Sequence, residues 1–325
     1  MIRAGIAGMG RWGQVLVSSV QGKSDQIEFV AGCTGRKERA QAFCDENSID
    51  LRDELGDLLG DDSLDAIVLA TPHSQHAEQI KSAAKAGKAI FIEKPFTLDH
   101  VSAAAAVRAV EEAGVVCALG HNRRFLPSMI HLQGLVNSGE IGTVLHVESN
   151  ISAGGALNYS PEHWRASGSE SPAGGMTGLG VHMVDALISF LGPVTEVTAI
   201  SERRVASVPI DDTTFMHFRF DGGHTGYMGT VFATAWDWRI QVFGDKGWVE
   251  MRGPRKLTIS KVGGEPEVIE FEETDIERAE LEAFATAITG GAPYPLPLDQ
   301  AIHGTAILEA IIQSSTQGRT VKVAT

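Results

Sequence analysis

Over the first 120 residues the apolar positions follow two rhythms. Short apolar runs at 2–7, 27–33, 64–70, 89–92 and 115–119 have the length and composition of buried strands. Between them, apolar residues recur at helical spacing: through Val15, Leu16 and Val20, then over 77–86 and 99–113. Strand and helix in alternation predict a parallel sheet with helices on both faces. Further on, a helix is predicted from Pro127 to about Ser138, an alternating strand over 143–152, and a helix entered through Gly174-Gly175 and ending at Leu191-Gly192. Period-two alternation then dominates 194–271, as at 213–220, 225–234, 239–243 and 248–251. Asp221-Gly222-Gly223 and Gly244-Asp245-Lys246-Gly247 supply turns. Two closing helices, 276–289 and 298–315, flank a proline-rich loop at 293–297. The 325 residues suit two domains, expected over 1–121 and 122–325, and the fold class is α/β.

Within this pattern, Gly8-Met9-Gly10-Arg11-Trp12-Gly13 stands between the first strand and the first helix. There GxGxxG reads as a dinucleotide cradle. Gly8 permits the tight turn, Gly10 lets a pyrophosphate approach the backbone, and Gly13 lets helix and strand pack closely. Arg11 and Trp12, inside the motif, join the expected cofactor set. The second strand ends not in a carboxylate but in Thr34-Gly35-Arg36-Lys37-Glu38-Arg39. A carboxylate would repel a 2′-phosphate, whereas Thr34, Arg36 and Arg39, around Gly35, could bind one. This favours NADP over NAD. Solvated arginines opening a helix are the plainer account of the same residues.

Thr71-Pro72-His73 and His76 follow the strand at 64–70. The spacing of His73 and His76 could suit a metal, but no Cys or acid completes a set. One imidazole is expected at the cofactor and the other partly buried; no metal is expected. The strand 89–92 runs into Glu93-Lys94-Pro95. Ligands of open α/β sheets collect at such strand ends, and a partly desolvated lysine there can exchange a proton near neutrality. Pro95 stiffens the backbone carrying it. Glu93 is expected to position Lys94 or to touch the cofactor.

Charge narrows the partners. With 27 Lys and Arg against 41 Asp and Glu the formal charge is −14, which argues against binding nucleic acid or anionic membranes. Three cysteines in no CxxC pattern fit a reducing, cytoplasmic setting. Because a strand pattern starts at Ile2, no signal peptide is expected, and no apolar run is long enough to span a bilayer. Met216, Phe218, Phe220, Met228 and Trp238 are expected to leave apolar surface on the open face of the second sheet, hence a homo-oligomer, dimer or tetramer, built through that face; core packing is the plainer account of the same residues.

Taken in order, the glycine motif, Thr71-Pro72 with His76, Ala86-Gly87-Lys88 leading to Glu93-Lys94-Pro95, His121-Asn122-Arg123-Arg124-Phe125 with Pro127, and Gly174-Gly175 leading to Gly180-Val181-His182 and Asp185 resemble the Gfo/Idh/MocA family. The resemblance spans nearly the whole chain. It implies an N-terminal Rossmann domain and a C-terminal α/β domain with a large open, mostly antiparallel sheet. It further implies NAD(P)-dependent hydride transfer, usually on sugars or cyclitols. Lys94 and His182 are then the expected catalytic pair, and Arg123, Trp164, Arg165 and Asp185 the substrate-side residues. One departure stands out: where the family often has an Asp four positions before this histidine, this chain has Gly178. That keeps open a non-catalytic NAD(P)-binding sensor on the same fold. A dehydrogenase for a small ketone, imine or aromatic dihydrodiol is a third possibility. Substrate and reaction direction are not legible in these residues.

Overall fold

The computed structural model describes residues 1–324 and separates the chain into two compact units. The first comprises Met1–Asn122 and Asp275–Ile302. Its elements in chain order are β1 (Ile2–Ala7), α1 (Arg11–Val20), β2 (Ile27–Cys33), α2 (Lys37–Glu46), β3 (Asp50–Arg52), α3 (Leu55–Leu59), β4 (Ala66–Leu69), α4 (His76–Lys85), β5 (Ala89–Glu93), α5 (His100–Ala113) and β6 (Cys117–Gly120). The six strands are all parallel, in the order β3-β2-β1-β4-β5-β6. β4 and β5 are buried along their whole length, as strands covered on both faces must be. Local chemistry sets the helix ends. Asp99 caps α5 by accepting from the Ser102 N–H at 2.8 Å, and Gly114 stops it with φ +66°.

β3 and α3 were not expected. Each is too short for periodicity to register, and α3 is started by a capping box between Glu54 and Asp57. A larger difference concerns Asp275–Ile302, expected in the second domain. Leu281, Phe284 and Ala285 on the helix Ile276–Ile288 sit in one core cluster with Leu16, Phe29 and Phe91. Arg278 Nε donates to the Ser19 carbonyl at 3.0 Å, and Tyr294 Oη donates to Leu119 O at 3.0 Å. The returning segment thus completes the first unit's core.

The second unit comprises Arg123–Thr274 and His303–Thr325. It contains α6 (Pro127–Asn137), β7 (Val144–Ser152), α7 (Val181–Leu191), β8 (Val194–Glu202), β9 (Thr213–Phe220), β10 (Thr225–Val231), β11 (Asp237–Gly244), β12 (Gly247–Arg252), β13 (Lys256–Lys261) and β14 (Glu267–Glu270). After α8 (Ile276–Ile288) in the first unit, α9 (Leu298–Gln317) crosses the unit boundary, and β15 (Val321–Lys322) ends the sheet. The nine strands run β14-β13-β12-β11-β7-β10-β9-β8-β15, antiparallel except for the β7–β10 pair.

Alternation along β9 to β11 sends Met216, Phe218, Phe220, Met228 and Trp238 to the covered face, all at 4% exposure or less. They are core, not the open surface expected of them. The open face instead presents Phe215, Tyr227, Phe243 and His146, with His146 and Tyr227 ring centroids 5.7 Å apart and those of Phe215 and Tyr227 6.0 Å apart. Both faces carry aromatics, so alternation alone does not say which is inward.

Candidate active site

In the first unit, β1, β4 and β5 are adjacent, and the chain reverses its strand order beside β1. Their carboxyl ends carry Gly8, Thr71-Pro72 and Glu93-Lys94 respectively. With strands about 4.8 Å apart, these backbones gather within about 10 Å at the crevice where α/β sheets bind ligands.

The glycines differ in kind. Gly8 has φ +102°, and a Cβ there would lie 2.3 Å from the Ala70 carbonyl oxygen. A Cβ at Gly13 would lie 2.1 Å from the Gly8 carbonyl oxygen. Gly10 faces open space, with nothing within 4 Å, and caps α1 with no side chain on the first-turn N–H groups. The Trp12 indole N–H is buried and has no acceptor among the described residues. A cradle a Cβ would fill, an uncapped helix N-terminus and an unsatisfied donor together suit a dinucleotide's phosphates. Arg11 is exposed and lines a cavity of about 440 Å³ on the flank of α1 with Gln14, Phe43, Asp275 and Glu277. At the end of β2, Thr34 is half-buried, while Gly35, Arg36 and Arg39 are exposed. Lys37 is engaged by Asp53 in an ion pair.

Thr71 Oγ1 donates to Gln79 Oε1 at 2.5 Å. His73 and His76 are both buried, ring centroids 5.8 Å apart and edge to face, although one was expected at the cofactor surface. The His76 ring nitrogens lie 2.8 Å from the Pro95 carbonyl oxygen and 3.1 Å from that of Thr71. Its imidazole therefore packs between the turn after β4 and the turn after β5, and as a neutral ring donates to one of the two carbonyls. The Glu93 carboxylate, also buried, folds back to accept from the Lys94 N–H at 3.3 Å. Gly120 opposite is what lets it fit, since a Cβ there would stand 3.0 Å from Glu93 Oε1. The Lys94–Pro95 peptide is cis, and Lys94 is half-buried. The Lys88 ammonium, from the Ala86-Gly87-Lys88 turn, donates to the Asp61 and Leu64 carbonyls at 2.7 and 2.8 Å. That turn is structural.

In the second unit, the segment Gly174–Gly180 is closely packed, and backbone or Cβ contacts leave no room for a side chain at Gly174 and Gly175. A Cβ would lie 1.7 Å from Asp211 O at Gly174, 2.7 Å from Phe232 Cβ at Gly175 and 2.3 Å from Met176 Sδ at Gly180. Gly178 is the exception. A Cβ there would make only ordinary contact, 3.5 Å from the Phe232 ring, so packing does not explain its missing side chain. Met176–Gly180 forms a π-helical turn that leads directly into α7, and His182 is buried in the first turn of that helix.

Asp185, expected at the substrate, is committed elsewhere. Arg124 Nε donates to its Oδ2 at 2.9 Å and Nη2 to its Oδ1 at 2.7 Å, with both side chains buried. The adjacent Arg123 lies over the Trp238 ring at 5.5 Å, and the Trp238 indole N–H donates to Met183 Sδ at 3.0 Å. On the loop after β7, Tyr159 stacks on His163 at 4.5 Å, and Arg165 lies 4.2 Å over the Trp164 ring. His163 Nδ1 accepts from the Arg165 N–H at 3.1 Å. Trp164 and Arg165 are thus brought together with Tyr159 and His163, two residues not singled out beforehand. Among the described residues no three His, Cys, Asp or Glu side chains are grouped to hold a metal. No described helix is long and apolar enough to cross a membrane.

Residues 2–121 match the model of an oxidoreductase family with an NAD-binding Rossmann fold, and residues 129–250 match the Gfo/Idh/MocA C-terminal domain. The chain belongs to the Gfo/Idh/MocA oxidoreductases. Among this family's members, inositol 2-dehydrogenase of Rhizobium meliloti (strain 1021) is 27% identical over 99% of both chains. The uncharacterised oxidoreductase YrbE of Bacillus subtilis (strain 168) is 31% identical over 79% of this chain and 76% of its own length. A levoglucosan dehydrogenase solved with NADH and L-sorbose superposes with a TM-score of 0.90 at 18% identity, over 99% of each chain. The chain is thus an NAD(P)-dependent oxidoreductase, and the non-catalytic sensor finds no support among these relatives.

Proposed function

We propose that this oxidoreductase interconverts an alcohol and a carbonyl on a cyclic polyol or sugar, with NADP preferred over NAD. The observation that carries the chemistry is the mounting of Lys94. Its N–H is held by Glu93, and the following Pro95 carbonyl is held by His76. A lysine so fixed at a strand end, beside the glycine cradle, can present its ammonium at one point. A nicotinamide cofactor held by the glycine cradle would supply or accept the hydride of a substrate carbon. Lys94 holds or moves the proton on the oxygen of that carbon. His182 hydrogen-bonds the same oxygen or passes its proton to water. Arg123, Trp164 and Arg165 shape the substrate pocket, their guanidinium groups held flat by aromatic rings. The name of the Rhizobium relative supports a cyclitol as first choice of substrate.

Gly8, Gly10, Gly13 and Trp12 would hold the pyrophosphate, and Thr71 and Pro72 would flank the nucleotide. Exposed Arg36 and Arg39 with Thr34, and no acid at the end of β2, support the NADP preference. The open sheet face, with exposed Ile200 and Phe215 around an aromatic centre, supports self-association through that face.

Calorimetric titration with NADP and NAD, then nicotinamide absorbance over a panel of inositols and sugars, tests this function. NADP binding at least tenfold tighter, with turnover of a cyclitol, is expected. Tighter NAD binding refutes the role given to Arg36 and Arg39, and stoichiometric binding with no turnover across the panel refutes the proposed substrate class. Phe215→Asp should lower the mass seen by light scattering. An unchanged mass removes the open face as the contact.

A further inference from the structure

We propose that Arg124, Asp185 and Trp238 are positioning residues that fix the rotation and axial register of the first turn of α7, and through it the imidazole of His182. This inference rests on the role given to His182 above. α7 has little local chemistry to set its start. It is entered from a glycine-rich π-helical turn, and its N-cap Gly180 offers no side-chain bond. Ten of its eleven residues are buried. Apolar burial is non-directional, so a helix wrapped in it can turn or slide at modest cost. Two directional contacts near its start oppose that, and Gln133 Nε2, donating to Ser189 Oγ at 2.6 Å, adds a third toward its far end. Asp185, one turn beyond His182 and on the same face, is gripped by both prongs of the Arg124 guanidinium at 2.9 and 2.7 Å. Met183, next to His182, accepts the Trp238 indole N–H at 3.0 Å. Arg123 lies over that same indole, so consecutive arginines of the Asn122–Phe125 turn meet both anchors. His182 stands between the anchored positions 183 and 185 on one side and the π-helical turn on the other.

A buried ion pair is weak support for stability, because desolvation offsets its attraction. Its best attested use is to specify register. A fork-to-fork arginine–carboxylate pair, which has one good geometry, suits that use here.

The decisive variant replaces the pair by apolar side chains of similar size, Arg124→Met with Asp185→Leu, which removes the directional contact without stranding a charge. It is compared with Arg124→Lys, which keeps the charge and loses the fork, and with His182→Ala. Four quantities are read: melting temperature, NADP affinity, kcat and KM with the best inositol of the panel, and the titration of the His182 ring nitrogens by NMR, which needs no substrate. The apolar pair is expected to melt within a few degrees of the wild type and bind NADP within twofold. Its kcat should fall at least tenfold with KM little changed, and its His182 titration should shift or broaden. Arg124→Lys should fall between it and the wild type. A folded apolar variant with wild-type kcat and His182 titration overturns the proposal. If that variant does not fold, Arg124→Lys decides alone, and wild-type kcat and titration there overturn the proposal equally. Loss of turnover in His182→Ala beside full turnover in the apolar pair defeats the positioning role only. Full turnover in His182→Ala defeats the functional role of His182 itself.

Discussion

His76 reaches the Pro95 carbonyl oxygen with one ring nitrogen at 2.8 Å while the other lies 3.1 Å from the Thr71 carbonyl oxygen. Two turns at the ends of neighbouring strands thereby flank one fully buried imidazole, whose single N–H in the neutral form bonds one of them. Replacing it with alanine leaves a cavity and deprives at least one of the two carbonyls of its N–H donor, a loss of about 2–4 kcal/mol. His76→Ala should unfold at lower urea by that amount. Its kcat should fall more than its NADP affinity, because the turn that mounts Lys94 loses its anchor. Unchanged stability would show that the two contacts contribute nothing.

Gly8 and Gly10 should both lose cofactor affinity to an added methyl group, but only Gly8 should also lose stability. At Gly8 the added Cβ would press on the Ala70 carbonyl oxygen at φ +102°, so Gly8→Ala should lose both stability and NADP binding. At Gly10 nothing lies within 4 Å. Gly10→Ala should therefore melt within about a degree or two of the wild type, yet bind NADP at least tenfold more weakly, because the methyl group takes the ligand's space. Calorimetry with thermal melting on both variants checks this. Equal NADP affinity in Gly10→Ala would remove Gly10 from the cofactor cradle.

Acid should loosen the second unit through Asp212. Its burial acts to raise the carboxyl pKa, but the N–H groups of Val205, Ala206 and Arg204 and the Thr213 hydroxyl outweigh it and leave the pKa below the usual range. A group with a depressed folded pKa adds stability above its unfolded value, near 3.9, and loses it as pH falls through the folded value. Asp212→Asn should thus cost about 1.5–3 kcal/mol near neutral pH, with the difference from wild type shrinking below pH 4. Urea unfolding of both proteins at pH 7 and pH 3.5 measures it. A gap that does not change with pH would refute the ionic part.

The parallel sheet was legible because its strands are uninterrupted apolar runs such as Ala66–Leu69 and Ala89–Glu93, each followed by a glycine, proline or charged turn. The glycine cradle was legible because its context, strand before and helix after, is local. What escaped depends on contacts distant in sequence. That Ile276–Ile288 belongs to the first unit is decided by Leu281 and Phe284 meeting Phe91, which no periodicity reports. The inward face of β11 cannot be told from its alternation, so Trp238 reads either as open surface or as core, and only its burial decides for core. By its place after His182, Asp185 reads either as a substrate residue or as part of the family's structural pattern, and the Arg124 guanidinium, 61 positions away, gives it a structural partner. The His163–Trp164 stack and its partner Tyr159 carried no signal beyond an aromatic-rich loop.

Lys94 and His182 are proposed to act on one substrate oxygen, and a double-mutant cycle on kcat tests that most directly. Lys94→Ala and His182→Ala should each retain NADP binding within a few-fold and each lower kcat by about a hundredfold or more. The double variant should then be little worse than the poorer single one, because residues acting as a unit are strongly non-additive. Losses that multiply, or a single variant with wild-type kcat, would contradict it.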